Sequence, residues 1–378
     1  MMECKRCGNK DPEYFYKGHK GIYCRKCIRF SRVLLEEELS SFDYEVSEGI
    51  DDYHFSYELT AAQKKASKEV CEYIKDKDVL LHCVCGAGKT EIVVEAISKA
   101  LSEHKKVAYA ISRKEVVIEL EKRFRKIFDK AKVISVYGGH HDELSGDLLI
   151  MTCHQLYRYY RTFDLLIIDE ADAYPLKGNE TLINIALSAS KGRIIFSTAT
   201  VDEQLKRVLK KREYKEVSLN VRPSGRPLSV PDIFYLDKIS SLVLLYVLLR
   251  KIDGQCLVFV PKRKMSENLY YLFRYFFDCR YVYSDYEYRR EVIEGFRNNE
   301  FPVLFSTSVL ERGVTIHNIS VIILNYDKYF DESSIIQMLG RVGRGINDDK
   351  GSSYIISNRI DKKIPVIIDY LKEANTYL

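Results

Sequence analysis

No apolar run in this 378-residue chain approaches the roughly 18–20 residues of a membrane-spanning helix. The longest, Leu242 to Leu249, suits a buried helix equally well. The opening Met-Met-Glu-Cys-Lys-Arg-Cys lacks the apolar core of an export signal, so the expected location is the cytoplasm. A partner could still recruit the chain to the inner face of the cell membrane. There is no internal repeat and no low-complexity tract. Proline is scarce, and three of the eight fall within Val221–Pro231, which reads as a linker. With 46% hydrophobic and 30% charged side chains, the remainder suffices for two core-forming domains and a small module.

The net charge is a modest +5, but it is unevenly placed. Residues 1–30 hold eight Lys/Arg against three Asp/Glu, whereas residues 31–58 hold nine acidic side chains against Arg32 alone. A basic tip, an acidic connector and a mildly basic body suit a polyanionic partner such as nucleic acid. Four of the ten cysteines stand in the tip as Cys4-x2-Cys7 and Cys24-x2-Cys27. Two such hooks, sixteen residues apart, have the layout of a structural tetrahedral zinc site. Thirty residues bury too little apolar surface to fold unaided, so a metal is physically needed; paired disulfides are the alternative. Lys5, Arg6, Lys17, Lys20, Arg25, Lys26 and Arg29 interleave with Tyr14, Phe15, Tyr16 and Tyr23. Such a surface suits single-stranded nucleic acid or an acidic protein. The other six cysteines are expected in the core, with Cys83 and Cys85 open to oxidation.

From Leu59 onward, short apolar segments alternate with amphipathic ones. Strands are expected at Val79–Val84, Lys106–Ile111, Lys132–Val136, Leu148–Thr152, Leu165–Asp169 and Arg193–Ser197, with a helix at Glu115–Phe128. Past the linker the alternation restarts, with strands at Gln255–Val260, Arg280–Tyr283, Val303–Ser306, Val321–Leu324 and Ser353–Ile356. This pattern implies parallel sheets covered on both faces. The expected organisation is a zinc module (1–30), an acidic connector partly helical around Val33–Leu39 (31–58), a first domain (59–221), a linker (222–231) and a second domain (232–378).

Cys85-Gly86-Ala87-Gly88-Lys89-Thr90 follows the first of these strands and precedes a helix expected at Glu91–Leu101. It is a phosphate-cradling loop in which Cys83 takes the place of the usual first glycine. Gly86 and Gly88 give the backbone freedom, Lys89 reaches the β and γ phosphates, and Thr90 ligands Mg²⁺. Asp169, at the end of an apolar strand, fits the acid that holds Mg²⁺ directly or through water, and Glu170 fits the base that activates water. These residues predict ATP hydrolysis.

Further segments resemble the superfamily 2 helicases. Leu59-Thr60-Ala61-Ala62-Gln63 resembles the Q motif, which assigns Gln63 to the nucleotide. Asp169-Glu170-Ala171-Asp172 is similar to a DEAD/DEAH box, and Ser197-Thr198-Ala199-Thr200 to the Ser-Ala-Thr coupling motif. Ser112, Arg113, Thr152, His154 and Gln155 stand where that family touches nucleic acid. The segment Thr307 to Thr315 resembles motif V, giving Thr307 to the strand and Gly313 to the nucleotide. Gln337-Met338-Leu339-Gly340-Arg341-Val342-Gly343-Arg344 resembles motif VI, placing Gln337, Arg341 and Arg344 in catalysis, the arginines as fingers across a cleft. The resemblance implies two tandem RecA-like α/β domains with an N-terminal four-cysteine zinc module.

Within that superfamily, the Asp169 to Pro175 box and the Leu310 to Thr315 segment are similar to the late-competence DNA-uptake ATPases of the ComFA family. That resemblance implies an ATP-, Mg²⁺- and Zn²⁺-dependent translocase moving single-stranded DNA inward during transformation. It also implies a ComFC-type protein and DprA as partners, near a membrane DNA channel. Two other readings remain open: a primosome or repair helicase of the PriA kind, and a zinc-bearing nucleic-acid scaffold with a switch ATPase.

Overall fold

The structure, a computed structural model, describes residues 2–50, 52–311, 316–325, 329–343 and 351–376. The chain falls into two compact units, Met1–Cys83 with Lys89–Leu219, and Val84–Gly88 with Asn220–Leu378.

The first unit opens with a hairpin, β1 (Phe15–Gly18) and β2 (Gly21–Cys24), paired antiparallel. Then come α1 (Ala61–Tyr73), β3 (Asp78–Cys83), α2 (Lys89–Ile92), α3 (Val94–Ser102), β4 (Val107–Ile111), α4 (Lys114–Ile127), β5 (Val133–Val136) and β6 (Leu148–Thr152). They are followed by β7 (Phe163–Asp169), α5 (Glu180–Ala189), β8 (Ser190–Thr198), α6 (Glu203–Leu209) and β9 (Tyr214–Leu219). Seven strands form a parallel sheet in the order β5-β6-β4-β7-β8-β3-β9. Every residue of β4, β5 and β6 is buried, as strands covered on both faces require. Helix α4 turns Val117, Leu120, Phe124 and Ile127 inward at three- and four-residue spacing.

The acidic connector departs from expectation. No helix forms over Val33–Leu39; instead Leu34 bridges Tyr23 on the side of β2 away from β1. The aromatic side chains of the connector pack along the first unit. Phe42 and Tyr44 pack together and Phe42 meets Tyr159, while Tyr53 packs on Phe128 and on Phe55, which meets Tyr57. Aromatic residues at alternate positions give an extended chain one apolar side. Two of its acids find cations: Asp43 pairs with Lys106, and Asp52 with Lys130 at 3.8 Å.

The second unit carries β10 (Asp232–Tyr235), α7 (Lys238–Lys251), β11 (Gln255–Phe259), α8 (Arg263–Phe273), β12 (Cys279–Val282), α9 (Arg289–Arg297) and β13 (Val303–Ser306). It ends with β14 (Ile319–Leu324), α10 (Glu332–Leu339), β15 (Ser353–Ser357) and α11 (Lys363–Asn375). Its parallel sheet runs β10-β15-β14-β11-β13-β12. The proline-rich segment is tied down here: Leu228 N–H donates to Asn375 Oδ1 at 2.7 Å, and Asn375 Nδ2 returns a bond to the Leu228 carbonyl at 3.0 Å. Among the described residues no helix is long and apolar enough to cross a membrane.

Candidate nucleotide and metal sites

The loop after β3 turns on two glycines in left-handed conformation, Gly86 at φ +83° and Gly88 at φ +82°. A side chain there would be strained, which is why glycine is required at both. Lys89 and Thr90 open α2, as expected of a phosphate loop. The helix then breaks at Val93 and resumes as α3, rather than running continuously from Glu91 to Leu101. Burial pushes the Cys83 thiol up to about 12, partly offset by Lys89, and both Cys83 and Cys85 are buried. A buried thiol so far from its thiolate is inert, which corrects the expectation that Cys83 oxidises.

Asp169 ends β7 and is buried. Its Oδ1 accepts the Glu170 N–H at 2.9 Å and its Oδ2 accepts the Tyr109 hydroxyl at 2.7 Å. Glu170 leaves the strand at φ +53°, and the Ala171 N–H then donates to the Ser197 carbonyl at 3.2 Å. Asp172 is buried and accepts 2.6 Å hydrogen bonds from Thr198 and Thr200. The two carboxylates thus diverge: Asp169 faces the loop helix through Tyr109, and Asp172 faces the end of β8. Tyr109 belongs to no motif, and the only sequence signal for it was a phenol among apolar β4 residues.

Gln63 is engaged in a helix cap. Its Oε1 accepts from Thr60 N–H at 3.1 Å, and its own N–H donates to Thr60 Oγ1 at 3.2 Å. Of the residues expected to touch nucleic acid, Thr152 and Gln155 are buried, and Gln155 Oε1 accepts from Arg158 Nε at 2.8 Å. Ser112 and Arg113 are half-buried at the start of α4, and Thr307 is half-buried after β13. Gln337 lies buried on α10, and Arg341, just beyond it, is 1% exposed. Arg222, expected only as part of the linker, clamps the turn that follows α10. Its guanidinium donates to the carbonyls of Val342 at 2.6 Å, Gly343 at 3.1 Å and Gly340 at 3.1 Å. Arg344 and Gly313 lie outside the described residues.

Cys4, Cys7, Cys24 and Cys27 are all buried, with their sulfurs within 4.8 Å of one another. Cys4 and Cys27 are 3.7 Å apart and Cys7 and Cys24 are 3.8 Å apart. Sulfurs about 2.3 Å from a tetrahedral zinc stand about 3.8 Å from each other, whereas disulfide sulfurs stand about 2 Å apart. The residues present therefore fit zinc. Arg6, counted from the sequence among the surface cations, is buried instead. Its Nη2 lies 3.3 Å from Cys27 Sγ and donates to the Cys27 and Ser31 carbonyls at 2.8 and 2.7 Å. A guanidinium beside thiolate ligands offsets their negative charge.

The module is also packed onto the first unit. Phe30 stacks on His154 with centroids 6.2 Å apart and meets Tyr157 at 5.8 Å. Asn184 Nδ2 on α5 donates to the Cys7 carbonyl at 2.9 Å. Burial, reinforced by Arg29, lowers the pKa of His154. On the module's outer side, Lys26 lies over Tyr14 at 5.4 Å and Arg25 over Tyr16 at 5.8 Å, all four exposed.

Residues 60–208 match the DEAD/DEAH box helicase family, and residues 237–345 match the helicase conserved C-terminal domain. The competence protein ComFA of Streptococcus pneumoniae is 31% identical to the chain, over 98% of the chain and 90% of that protein. The ComFA of Bacillus subtilis is 31% identical over 90% of the chain and 78% of its own length. Among solved structures, S. cerevisiae Dbp5 bound to RNA and ADP BeF3 has a TM-score of 0.62 at 18% identity, covering 84% of the chain and 88% of Dbp5. At that identity the likeness concerns the fold, two RecA-like α/β domains.

Proposed function

Because the chain belongs to the ComFA family of superfamily 2 DEAD/DEAH-box ATPases, we propose that it is a single-stranded DNA translocase that draws transforming DNA into the cytoplasm during natural competence. The observation that carries this reading is the reach of the ComFA similarity. It runs through 98% of the chain and so takes in the cysteine module as well as the ATPase.

In this reading Lys89 binds the β and γ phosphates, and Glu170 orients and deprotonates the attacking water. Thr90 and Asp169 would hold magnesium, which neutralises charge developing on the transferred phosphoryl. By the motif resemblance, Arg341, Arg344 and Gln337 are assigned to stabilising that charge and Gly313 to contacting the nucleotide. Arg222 fixes the carbonyls of the turn on which Arg341 is mounted. Gln63 reads the base through the end of α1. Ser112, Arg113, His154 and Thr307 are each assigned to contacts with nucleic acid, and the buried Thr152 and Gln155 to support of that surface. The exposed pairs Tyr14–Lys26 and Tyr16–Arg25 supply the stacking and charge that single strands use. A ComFC-type protein and DprA are the proposed partners, and a membrane DNA channel the place of recruitment.

The test is ATP turnover against single-stranded DNA, duplex DNA and RNA, with streptavidin displacement from end-biotinylated strands to read movement. Single-stranded DNA should stimulate most, and one end should be cleared selectively. Equal stimulation by RNA, or turnover without displacement, sinks the translocase reading. In competent cells, Lys89→Ala should leave labelled DNA bound outside and not internalised.

A further inference from the structure

Tyr109 sits in the middle of β4 and is 0% exposed, flanked along the strand by Val107, Ala108, Ala110 and Ile111. A phenol buried in such a strand must find partners or lose its hydration without return. Its two partners come from different parts of the site. The hydroxyl donates to Asp169 Oδ2 at 2.7 Å and is hydrogen-bonded to the Thr90 side chain. A phenol has one proton to give and lone pairs to receive. With its proton committed to the carboxylate, the Tyr109 oxygen accepts from the Thr90 hydroxyl. The ring is held by Phe124, centroids 5.5 Å apart, and Phe124 in turn stacks on Phe128 at 6.2 Å. These ring contacts stabilise the packing of β4, whereas the hydroxyl is placed by its two hydrogen bonds.

We propose that Tyr109 is a positioning residue for magnesium, setting the Thr90 hydroxyl and the Asp169 carboxylate in register before the metal arrives. The inference rests on assigning Thr90 and Asp169 to the metal. One phenol bonded to both leaves the carboxylate a single rotation, because Oδ1 is fixed by the Glu170 N–H and Oδ2 by Tyr109. It also ties the Thr90 hydroxyl to the same phenol oxygen. Groups behind metal ligands typically contribute about 10–100-fold to metal affinity. A phenylalanine would fill the same space in β4 and supply none of this.

The experiment is equilibrium binding of a fluorescent ATP analogue as a function of magnesium concentration, in the full chain without DNA. Tyr109→Phe should raise the half-saturating magnesium concentration about tenfold or more. Nucleotide affinity at excess magnesium should stay near wild type. Phe124→Leu, which loosens the ring's support but keeps the hydroxyl, controls for stability. It should lower the melting temperature and leave magnesium dependence unchanged. An unchanged midpoint in folded Tyr109→Phe overturns the proposal, as does an equal shift in Phe124→Leu, which would make Tyr109 a packing residue. Should Tyr109→Phe not fold, Tyr109→Met, which also fills the strand interior without a hydroxyl, replaces it. A raised magnesium midpoint supports the proposal, and a wild-type midpoint overturns it. Asp169→Asn separates the premise: if it too retains wild-type magnesium dependence, the metal assignment itself is wrong.

Discussion

The Asp172 carboxylate accepts a 2.6 Å hydrogen bond from the Thr198 hydroxyl, joining the segment after β7 to the end of β8. Thr200 donates to the other carboxylate oxygen at the same distance. A buried anion needs such donors, and here they come from the segment that resembles the helicase coupling motif. Thr198→Val removes one donor from a side chain that is 1% exposed. The expected loss is about 1–3 kcal/mol of stability, read by denaturant unfolding. DNA-stimulated turnover should fall further than basal turnover. A variant in which both fell in equal proportion would show the Thr198–Asp172 bond to be purely structural.

Lys89→Ala and Glu170→Gln should each abolish ATP turnover while leaving the circular dichroism spectrum and melting temperature near wild type. Glu170→Gln should still bind ATP, because Lys89, Thr90 and Asp169 remain to hold phosphates and metal. Lys89→Ala should bind it poorly. Turnover above a few per cent of wild type in either variant contradicts the assignment.

The parallel sheets were legible because unbroken apolar runs such as Val79–Leu81 and Leu165–Ile168 are what doubly covered strands require. Strands β9 and β10 were not. Lys215, Glu216 and Asp232 make them polar, and they sit at sheet edges where one side meets water. The glycine turn after β3, the position of Asp169 at the end of β7 and the gathering of the four cysteines were readable because each is set by short, local spacing. Tyr109 and Arg222 were not, because each acts by reaching partners far away in sequence: Asp169 from β4, and the carbonyls of Gly340–Gly343 from the linker. The connector was misread because its nine acids concealed the alternating aromatics, which determine where it packs.

His154 is expected to give the first unit a pH dependence whose sign follows from its surroundings. Burial beside Arg29 lowers its folded pKa below the ordinary value. As pH falls below about 6.5, the unfolded chain takes a proton at this position that the folded chain refuses, so stability declines on acidification. At pH 7 and above both states are neutral there and the effect vanishes. His154→Phe keeps a ring against Phe30 and removes the titration. Melting temperatures of the two proteins should diverge in the variant's favour between pH 7 and 5. A constant difference across that range would place the acid sensitivity elsewhere.

Removing the metal should weaken the ATPase unit as well as the module. Four sulfurs spaced for zinc imply one ion per chain by elemental analysis, with all four thiols reduced. Replacing Cys24 and Cys27 by serine should release it. The module's Phe30 then leaves its fixed seat on His154 and Tyr157, and Asn184 is deprived of the Cys7 carbonyl. Removing a buried aromatic's packing costs about 3–5 kcal/mol. In a unit of this size that corresponds to a melting point lower by on the order of 10 °C. Basal turnover at low temperature should survive, because Lys89, Thr90, Asp169 and Glu170 all lie beyond the module, but heat inactivation should come earlier. DNA affinity should fall as well, and the salt dependence should flatten by about 0.7 for each DNA phosphate that the module no longer neutralises. An unchanged melting point after metal release would mean that the module rides on the ATPase without supporting it.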